Sequence, residues 1–230
     1  MSKKLICLPY AGSGAGIYRP WTQLSSDLLT AVPIQLPGRE ELFGEPFYES
    51  LEEAVTETAR KVREAVGDQP FSIFGHCIGA ILGYEVTRYL LATGGPLPEK
   101  LLVSGSASPR RRQPLTVSQV SDEEAISDLW QQLGRESAVM LDPELRELLL
   151  PSLQADARLL GGYAPTDIYA LPVPILALRG ENDEALTSTD LRDWASYTTS
   201  SFRCQEMTGG HMYLTEAWPQ LWKTIEEAVR

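Results

Sequence analysis

Short apolar segments alternate along the chain with longer segments in which apolar residues recur every three or four positions. Several short segments are apolar at consecutive positions, which is typical of strands buried on both faces. The longer segments predict helices at 51–66, 78–91 and 214–229. The predicted strands are Lys4–Leu8, Ala31–Leu36, Phe71–Phe74, Lys100–Ser104, Val173–Leu178 and Phe202–Met207.

This alternation of strands and helices predicts an α/β fold with a mostly parallel central sheet and helices on both faces. The chain has 230 residues, of which 43% are hydrophobic, and this is enough for one substantial core. We therefore expect a single domain that spans residues 1–230.

The alternation is interrupted at about 108–171, where the two flanking strands are much farther apart than the roughly 2–6 residues of an ordinary connection. Ser121 and Glu124 form a capping-box pattern before an apolar helical segment, and Pro143 marks a second helix start. Pro151 is expected to break or kink that helix. We predict a helical lid over a pocket; the alternative is a second small core without a functional role.

The charge balance limits the partners that the protein can bind. Twenty basic residues against 31 acidic ones give a net charge of −11, which disfavours nucleic acids and anionic membranes. No segment has the ~20 apolar residues of a membrane span, and the apolar N-terminal run is too short for a signal peptide. We expect a cytoplasmic protein, and nothing in the sequence demands a partner subunit, so we expect a monomer.

The cysteines and histidines do not predict a metal site. The three cysteines are far apart, no pair has metal-ligand spacing, and the chain has only two histidines. We expect no metal and no cofactor. Cys7 and Cys204 lie within predicted strands and are expected to be inert core residues.

The strongest chemical signal is Gly75-His76-Cys77-Ile78-Gly79, which has the pattern Gly-x-nucleophile-x-Gly between a buried strand and a helix. Such a nucleophile occupies a sharp, strained turn, where glycine on either side avoids collisions with the neighbouring strand and helix. The helix N-terminus also favours a thiolate over a thiol. The alternative is a chance match around a small buried cysteine.

The order of polar residues after the later strands supports the nucleophile interpretation. In the α/β-hydrolase fold the nucleophile is followed by an acid after a late strand and by a histidine after the last strand. A carboxylate of the segment 181–184 and His211 occupy these two places, so we predict that they form a triad with Cys77. We choose Asp183 over its rivals Glu181 and Glu184 because its distance from the strand end fits the pattern of the family that the whole chain resembles. His76 adjoins Cys77, and we expect it to pack or to hydrogen-bond with the structure rather than to act as the base.

A glycine-rich loop, Pro9-Tyr10-Ala11-Gly12-Ser13-Gly14, follows the first strand. Its spacing does not match a dinucleotide-binding or a P-loop motif. In a hydrolase this loop and the residue after the nucleophile donate backbone N–H groups to the developing oxyanion. We therefore expect the amides of Ala11 and Ile78 to form an oxyanion hole, in which each donor contributes roughly 2.7–4 kcal/mol.

Arg110, Arg111 and Arg112 form the one basic cluster of the sequence, where the predicted lid begins. Such a run is usually a solvated loop. The alternative is a docking site for an acidic partner or for a phosphate-bearing arm.

The whole chain resembles the type II thioesterases of nonribosomal peptide and polyketide biosynthesis. The resemblance rests on Leu8–Gly12, on Gln35–Glu40 with its Pro37-Gly38-Arg39, on Phe74–Ala80, on Leu150–Asp156, on Asp183 and on Gly210-His211. It implies a stand-alone enzyme, without a cofactor, that hydrolyses acyl or aminoacyl groups from the phosphopantetheine arm of acyl or peptidyl carrier proteins.

Cys77 departs from the serine that is usual in that family. An acyl-cysteine is itself a thioester, so an alternative function is acyl or aminoacyl transfer between carrier proteins; an engineered serine-to-cysteine replacement is another explanation of this residue. A small-molecule esterase or lactonase and a catalytically silent carrier-binding chaperone are further alternatives. The acyl group, the cognate carrier and the pathway are left open.

Overall fold

One parallel sheet forms the centre of the protein. The computed structural model describes residues 2–111 and 143–230, and within these ranges the sheet has six strands in the order β2-β1-β3-β4-β5-β6. All neighbouring strands pair in parallel. The strands are β1 (Lys3–Leu8), β2 (Leu29–Pro33), β3 (Phe71–His76), β4 (Leu101–Ser104), β5 (Ile175–Gly180) and β6 (Phe202–Met207).

Helices connect these strands, as the sequence pattern predicts. The longest, α2, α3, α4 and α7, each have an apolar side or are largely buried, and short 3₁₀ turns lie at Ala15–Tyr18, Glu40–Leu42 and Trp194–Tyr197. The helices are α1 (Arg19–Gln23), α2 (Leu51–Val66), α3 (Ile78–Ala92), α4 (Pro143–Gly161), α5 (Ser188–Asp193), α6 (Tyr213–Glu216) and α7 (Trp218–Val229).

Helices cover both faces of the sheet. Successive side chains of a strand point to opposite faces. On β3, Ile73 contacts α3, where a Cβ atom at Gly83 would lie 3.1 Å from its Cγ2 atom. The next residue, Phe74, stacks at 5.0 Å on Trp21 of α1, which in turn lies 5.8 Å from Trp222 of α7. The predicted α/β arrangement is therefore confirmed.

Several predicted boundaries differ from the structure by a few residues. Strand β2 ends at Pro33, before the predicted end at residue 36, because Ile34 and Leu36 are buried in the connection that follows rather than paired in the sheet. The last predicted helix is divided at Ala217, with Pro219 in the first turn of α7. Helix α4 begins at Pro143 as predicted but continues through Pro151.

The prediction that Cys204 is a core residue is wrong, whereas Cys7 is fully buried. Strand β6 lies at the edge of the described sheet, and its residues 203–206 are exposed. An edge strand that is exposed on both faces carries polar residues at consecutive positions, and this strand has Arg203, Gln205 and Glu206 beside the cysteine.

Of the predicted lid, the structure describes residues 108–111 and 143–171. Ser121, Glu124 and Arg112 lie outside the described residues. Helix α4 lies against the loop that follows β1, where a Cβ atom at Gly12 would be 3.3 Å from Cβ of Leu153. In the described ranges, every helix is too short or too polar to cross a membrane.

Candidate active site

Cys77 lies at the turn from β3 into α3 and has a left-handed backbone conformation, with φ = 54°. This conformation is strained for a residue that carries a Cβ atom. The turn is held by the N–H of Cys77, which donates to the carbonyl oxygen of Ser104 on the neighbouring strand at 2.8 Å. The side chain is partly exposed at the carboxyl edge of the sheet, as the motif predicts.

The two glycines of the motif allow the backbone to approach itself closely. A Cβ atom at Gly75 would lie 2.0 Å from the carbonyl oxygen of Gly79, and one at Gly79 would lie 2.5 Å from that of Leu8. Both distances are far below van der Waals contact, and both involve backbone atoms that cannot move aside. A side chain at either position would therefore displace α3 from the sheet.

His211 and Asp183 are brought together from the ends of β6 and β5. The Nδ1 atom of His211 lies 2.8 Å from Oδ2 of Asp183, whose side chain is completely buried. The other carboxylate oxygen accepts the N–H of Ala185 at 3.0 Å, which fixes the orientation of the carboxylate. The rival acids Glu181 and Glu184 are exposed.

His211 also forms a hydrogen bond with Cys77, so its ring connects the thiol to the carboxylate. Burial disfavours the imidazolium, but the hydrogen bonds to Asp183 and Cys77 and the charges of both groups outweigh it. Together they raise the pKa of His211 to about 10. A raised pKa favours the positively charged form of this ring, and a positive charge beside a cysteine favours the thiolate over the thiol.

His76 is fully buried and lies beside this hydrogen-bonded chain without being part of it. Its Nδ1 atom lies 2.8 Å from the hydroxyl of Ser104, which in turn bonds to the hydroxyl of Tyr213. Burial, followed by the charge of His211, lowers the pKa of His76 well below its ordinary value. A neutral, hydrogen-bonded ring agrees with the packing role predicted for it. The sequence analysis missed Ser104 and Tyr213, although a serine that ends an apolar strand was a usable signal.

The amides of Ala11 and Ile78 lie in the two segments that flank the turn, the loop after β1 and the first turn of α3. Among the described residues, neither N–H donates to a protein acceptor. The next N–H of the loop, that of Gly12, donates a hydrogen bond to Oδ2 of Asp156 at 2.8 Å.

The glycine-rich loop also hydrogen-bonds to the carboxylate of Glu40, which lies in a later segment of the chain. Glu40 accepts the N–H of Gly16 at 2.9 Å, and its backbone is left-handed, with φ = 49°. A Cβ atom at Gly14 would lie 2.3 Å from the carboxyl carbon of Glu40. Glycines 14 and 16 thus make room for this side chain, a reason for the glycine pattern that the sequence did not reveal.

A cavity of about 430 Å³ opens beside this loop. It lies between the loop, the segment around Arg39 and helix α4. Two large apolar side chains at its rim are mostly exposed, Phe43 at 63% and Leu148 at 53%. The remaining lining residues are Gly12, Ser13, Gly14, Ile17, Gly38, Arg39, Glu40, Leu149 and Ser152.

Two arginines of the basic cluster form contacts within the protein. Arg111 forms ion pairs with Asp190 at 3.3 Å and Asp193 at 3.2 Å, at the two ends of α5. The N–H of Arg110 donates to the hydroxyl of Tyr197. In the described ranges, no group of three or more His, Cys, Asp or Glu side chains is arranged to hold a metal ion.

Residues 3–229 match the family model described as thioesterase domain. The chain is 30% identical to the gramicidin S biosynthesis protein GrsT of Aneurinibacillus migulanus, over 93% of this chain and 84% of that protein. It is 28% identical to thioesterase PikA5 of Streptomyces venezuelae, over 97% and 80%. A solved structure of the type II thioesterase BorB from the borrelidin biosynthetic cluster superposes with a TM-score of 0.88 at 32% identity, covering all of this chain and 94% of that one. The predicted α/β-hydrolase fold is confirmed.

Proposed function

Because the chain belongs to the thioesterase domain family, we propose that it hydrolyses acyl or aminoacyl groups from the phosphopantetheine arm of carrier proteins in a nonribosomal peptide or polyketide assembly line. The observation that carries the proposal is the position of His211, which is hydrogen-bonded to both Cys77 and Asp183. The association of GrsT with gramicidin S biosynthesis and of BorB with the borrelidin cluster supports the proposed setting.

In the first step the thiolate of Cys77 attacks the thioester carbonyl. The imidazolium of His211 then donates its proton to the departing pantetheine sulfur, and the acyl group remains on Cys77. Asp183 holds the ring in the orientation that this transfer needs. The negative charge on the carbonyl oxygen is stabilised by the N–H groups of Ala11 and Ile78, which have no other protein acceptor among the described residues.

Acylation changes the basicity of His211. The hydrogen bond and the charge of Cys77 are among the causes that raise the pKa of His211. Once the sulfur is acylated, that charge is gone, so the pKa falls and the neutral ring can accept a proton from water. The resulting hydroxide attacks the acyl-cysteine, the thiolate of Cys77 leaves, and the free acid is released with the imidazolium restored.

We assign the acyl chain to the cavity beside the Gly12 loop, although neither Cys77 nor His211 is among its lining residues. Its volume of about 430 Å³ lies within the roughly 300–1,000 Å³ range of small-molecule sites. Its rim exposes Phe43 and Leu148, which suit an apolar acyl chain.

Transfer of the acyl group to a second carrier is the alternative function, and the thiol at position 77 favours it. Exchange between an acyl-cysteine and a carrier thiol replaces one thioester by another, so it is nearly isoenergetic. Hydrolysis and transfer share the acylation step and differ only in the acceptor. An acyl-loaded carrier mixed with this protein and a second, free carrier distinguishes them, because transfer labels the second carrier and hydrolysis yields free acid.

The acyl-enzyme itself is tested by intact-protein mass spectrometry after exposure to an acyl-carrier thioester. We expect an added mass equal to the acyl group, located on Cys77 and absent in the Cys77→Ala variant. Persistent hydrolysis by Cys77→Ala would place the chemistry elsewhere. Binding of the carrier by the unmodified protein without any adduct or turnover would instead favour the silent chaperone.

A further inference from the structure

Two sequence motifs have no part in the mechanism described above, Pro37-Gly38-Arg39 and the segment Leu150–Asp156. The structure joins them in one ion pair, although the two charged residues are 117 positions apart. Nη1 and Nη2 of Arg39 lie 2.6 and 2.8 Å from the two carboxylate oxygens of Asp156, a bidentate geometry. The arginine side chain is 8% exposed and the aspartate side chain is fully buried.

This ion pair is attached to the backbone of the loop after β1. Asp156 accepts the N–H of Gly12 at 2.8 Å, and Nη1 of Arg39 donates to the carbonyl oxygen of Ser13 at 3.2 Å. One helical turn before Asp156, the hydroxyl of Ser152 lies 3.3 Å from the carbonyl oxygen of Gly12. The peptide groups on both sides of Gly12 are therefore held by α4, and the next peptide group, after Ser13, is held by Arg39.

The loop needs such restraint because Gly12 has a left-handed backbone, with φ = 71°, and glycine adopts many other conformations at little cost. The N–H that Asp156 binds belongs to the peptide group directly after Ala11. Restraining that group limits the directions open to the neighbouring Ala11 N–H, which is separated from it only by the two backbone dihedral angles of Ala11. Asp156 also lines the same small cavity as Ile78, whose N–H is the second proposed oxyanion donor.

We propose that Asp156 and Arg39 are positioning residues that hold the Ala11 N–H toward the carbonyl oxygen of the acyl group, and that α4 thereby controls the oxyanion hole. The inference rests on the proposed function, since it needs Cys77 to be acylated. A purely structural role of the ion pair would stabilise the fold without a specific effect on reactions that develop an oxyanion.

Two reactions of Cys77 separate these roles. Acylation by an acyl-pantetheine thioester develops an oxyanion, whereas alkylation by iodoacetamide does not. For Asp156→Asn we expect acylation to slow by about 10- to 100-fold, because the Ala11 N–H would no longer be aimed at the oxyanion. We expect alkylation to change by less than about twofold. Peptide mass spectrometry locates the modified residue, because the thiol of Cys204 is exposed as well.

Glu85→Gln is the matched control. Glu85 is also a buried acid, it pairs with Arg88 at 2.7 Å and with the hydroxyl of Tyr163 just beyond α4, and among the described residues it makes no hydrogen bond to the Gly12 loop. We expect both reactions to stay within about twofold of the unmodified protein. Arg39→Lys keeps the charge but loses the bidentate geometry, and we expect it to slow acylation selectively as well.

The outcomes are distinct. Equal slowing of both reactions in Asp156→Asn, or no slowing of acylation, would overturn the inference. If Asp156→Asn yields no folded protein, the same two rates in Arg39→Lys decide. If the unmodified protein is alkylated but never acylated at Cys77, the proposed function fails and the inference fails with it.

Discussion

The imidazole of His76 lies 5.1 Å from that of His211, centroid to centroid, yet the pKa values of the two rings are displaced in opposite directions. His76 is buried and faces the positive charge of His211, and both effects disfavour its protonation. The interactions of His211 with Asp183 and Cys77 raise its pKa by more than burial lowers it. One ring therefore remains neutral while its neighbour carries the proton.

NMR titration of ¹⁵N-labelled histidine tests this difference, and with only two histidines the spectrum has few signals. We expect His211 to remain protonated through neutral pH and to lose its proton only near pH 10. His76 should remain neutral throughout the same range. In Cys77→Ala the pKa of His211 should fall, because the hydrogen bond and the charge of the sulfur are removed.

The His76→Gln variant assigns the two signals. Titration of both rings near the ordinary histidine value of about 6.5 would contradict the hydrogen-bonded chain from Cys77 to Asp183. An unchanged pKa of His211 in Cys77→Ala would remove the link between acylation and the basicity of this ring.

Replacement of the buried acid is expected to affect the reaction rather than substrate binding. Asp183→Asn retains the shape of the side chain but removes its charge and favours the wrong tautomer of His211. We expect kcat for thioester hydrolysis to fall roughly 10³- to 10⁴-fold, with a smaller change in KM. Steady-state kinetics with an acyl-pantetheine thioester measures both.

Glu184→Gln is the control, because Glu184 adjoins Asp183 in the sequence but is exposed. Its kcat should stay within about twofold of the unmodified protein. A large loss of kcat in Glu184→Gln, together with a mild effect of Asp183→Asn, would transfer the role of the acid to Glu184.

The meeting of His211 and Asp183 could be predicted from sequence because both follow strands of a parallel sheet. Parallel strands end at the same edge, so residues that follow β5 and β6 meet there whatever separates them in the chain. The order of Cys77, Asp183 and His211 then leaves little freedom in how the site is assembled.

The ion pair between Arg39 and Asp156 could not be predicted in the same way. Both residues belong to irregular or inserted segments whose positions no sheet register fixes, and a single sequence contains no signal that joins them. The exposure of Cys204 was missed although its polar neighbours Arg203, Gln205 and Glu206 were a usable signal.

The close backbone approach at the Cys77 turn predicts a large stability effect for one methyl group. Gly79→Ala would place a Cβ atom 2.5 Å from the carbonyl oxygen of Leu8, so α3 must shift. We expect the free energy of unfolding to fall by about 2–4 kcal/mol, as measured by urea denaturation. Gly44→Ala is the control, because a Cβ atom there would have no neighbour within 4 Å, and its effect should be within about 1 kcal/mol. Equal effects of the two substitutions would contradict the tight turn.

The chemical identity of the nucleophile predicts which acceptors can take the acyl group. With an excess of free pantetheine thiol, the unmodified protein should divide the acyl group between water and the thiol, because acyl-Cys77 is itself a thioester. The Cys77→Ser variant should yield only free acid. Its acyl-enzyme is an oxyester of lower energy, and transfer from it to a thiol runs uphill. Chromatography of acyl-pantetheine and free acid measures the partition.

Cys204→Ser is the control for this partition, because it removes an exposed thiol on β6 that is remote from the triad. Its division between acid and acyl-pantetheine should equal that of the unmodified protein. If Cys77→Ser divides the acyl group between acid and thiol in the same proportion as the unmodified protein, the identity of the nucleophile does not select the acceptor and this prediction is wrong.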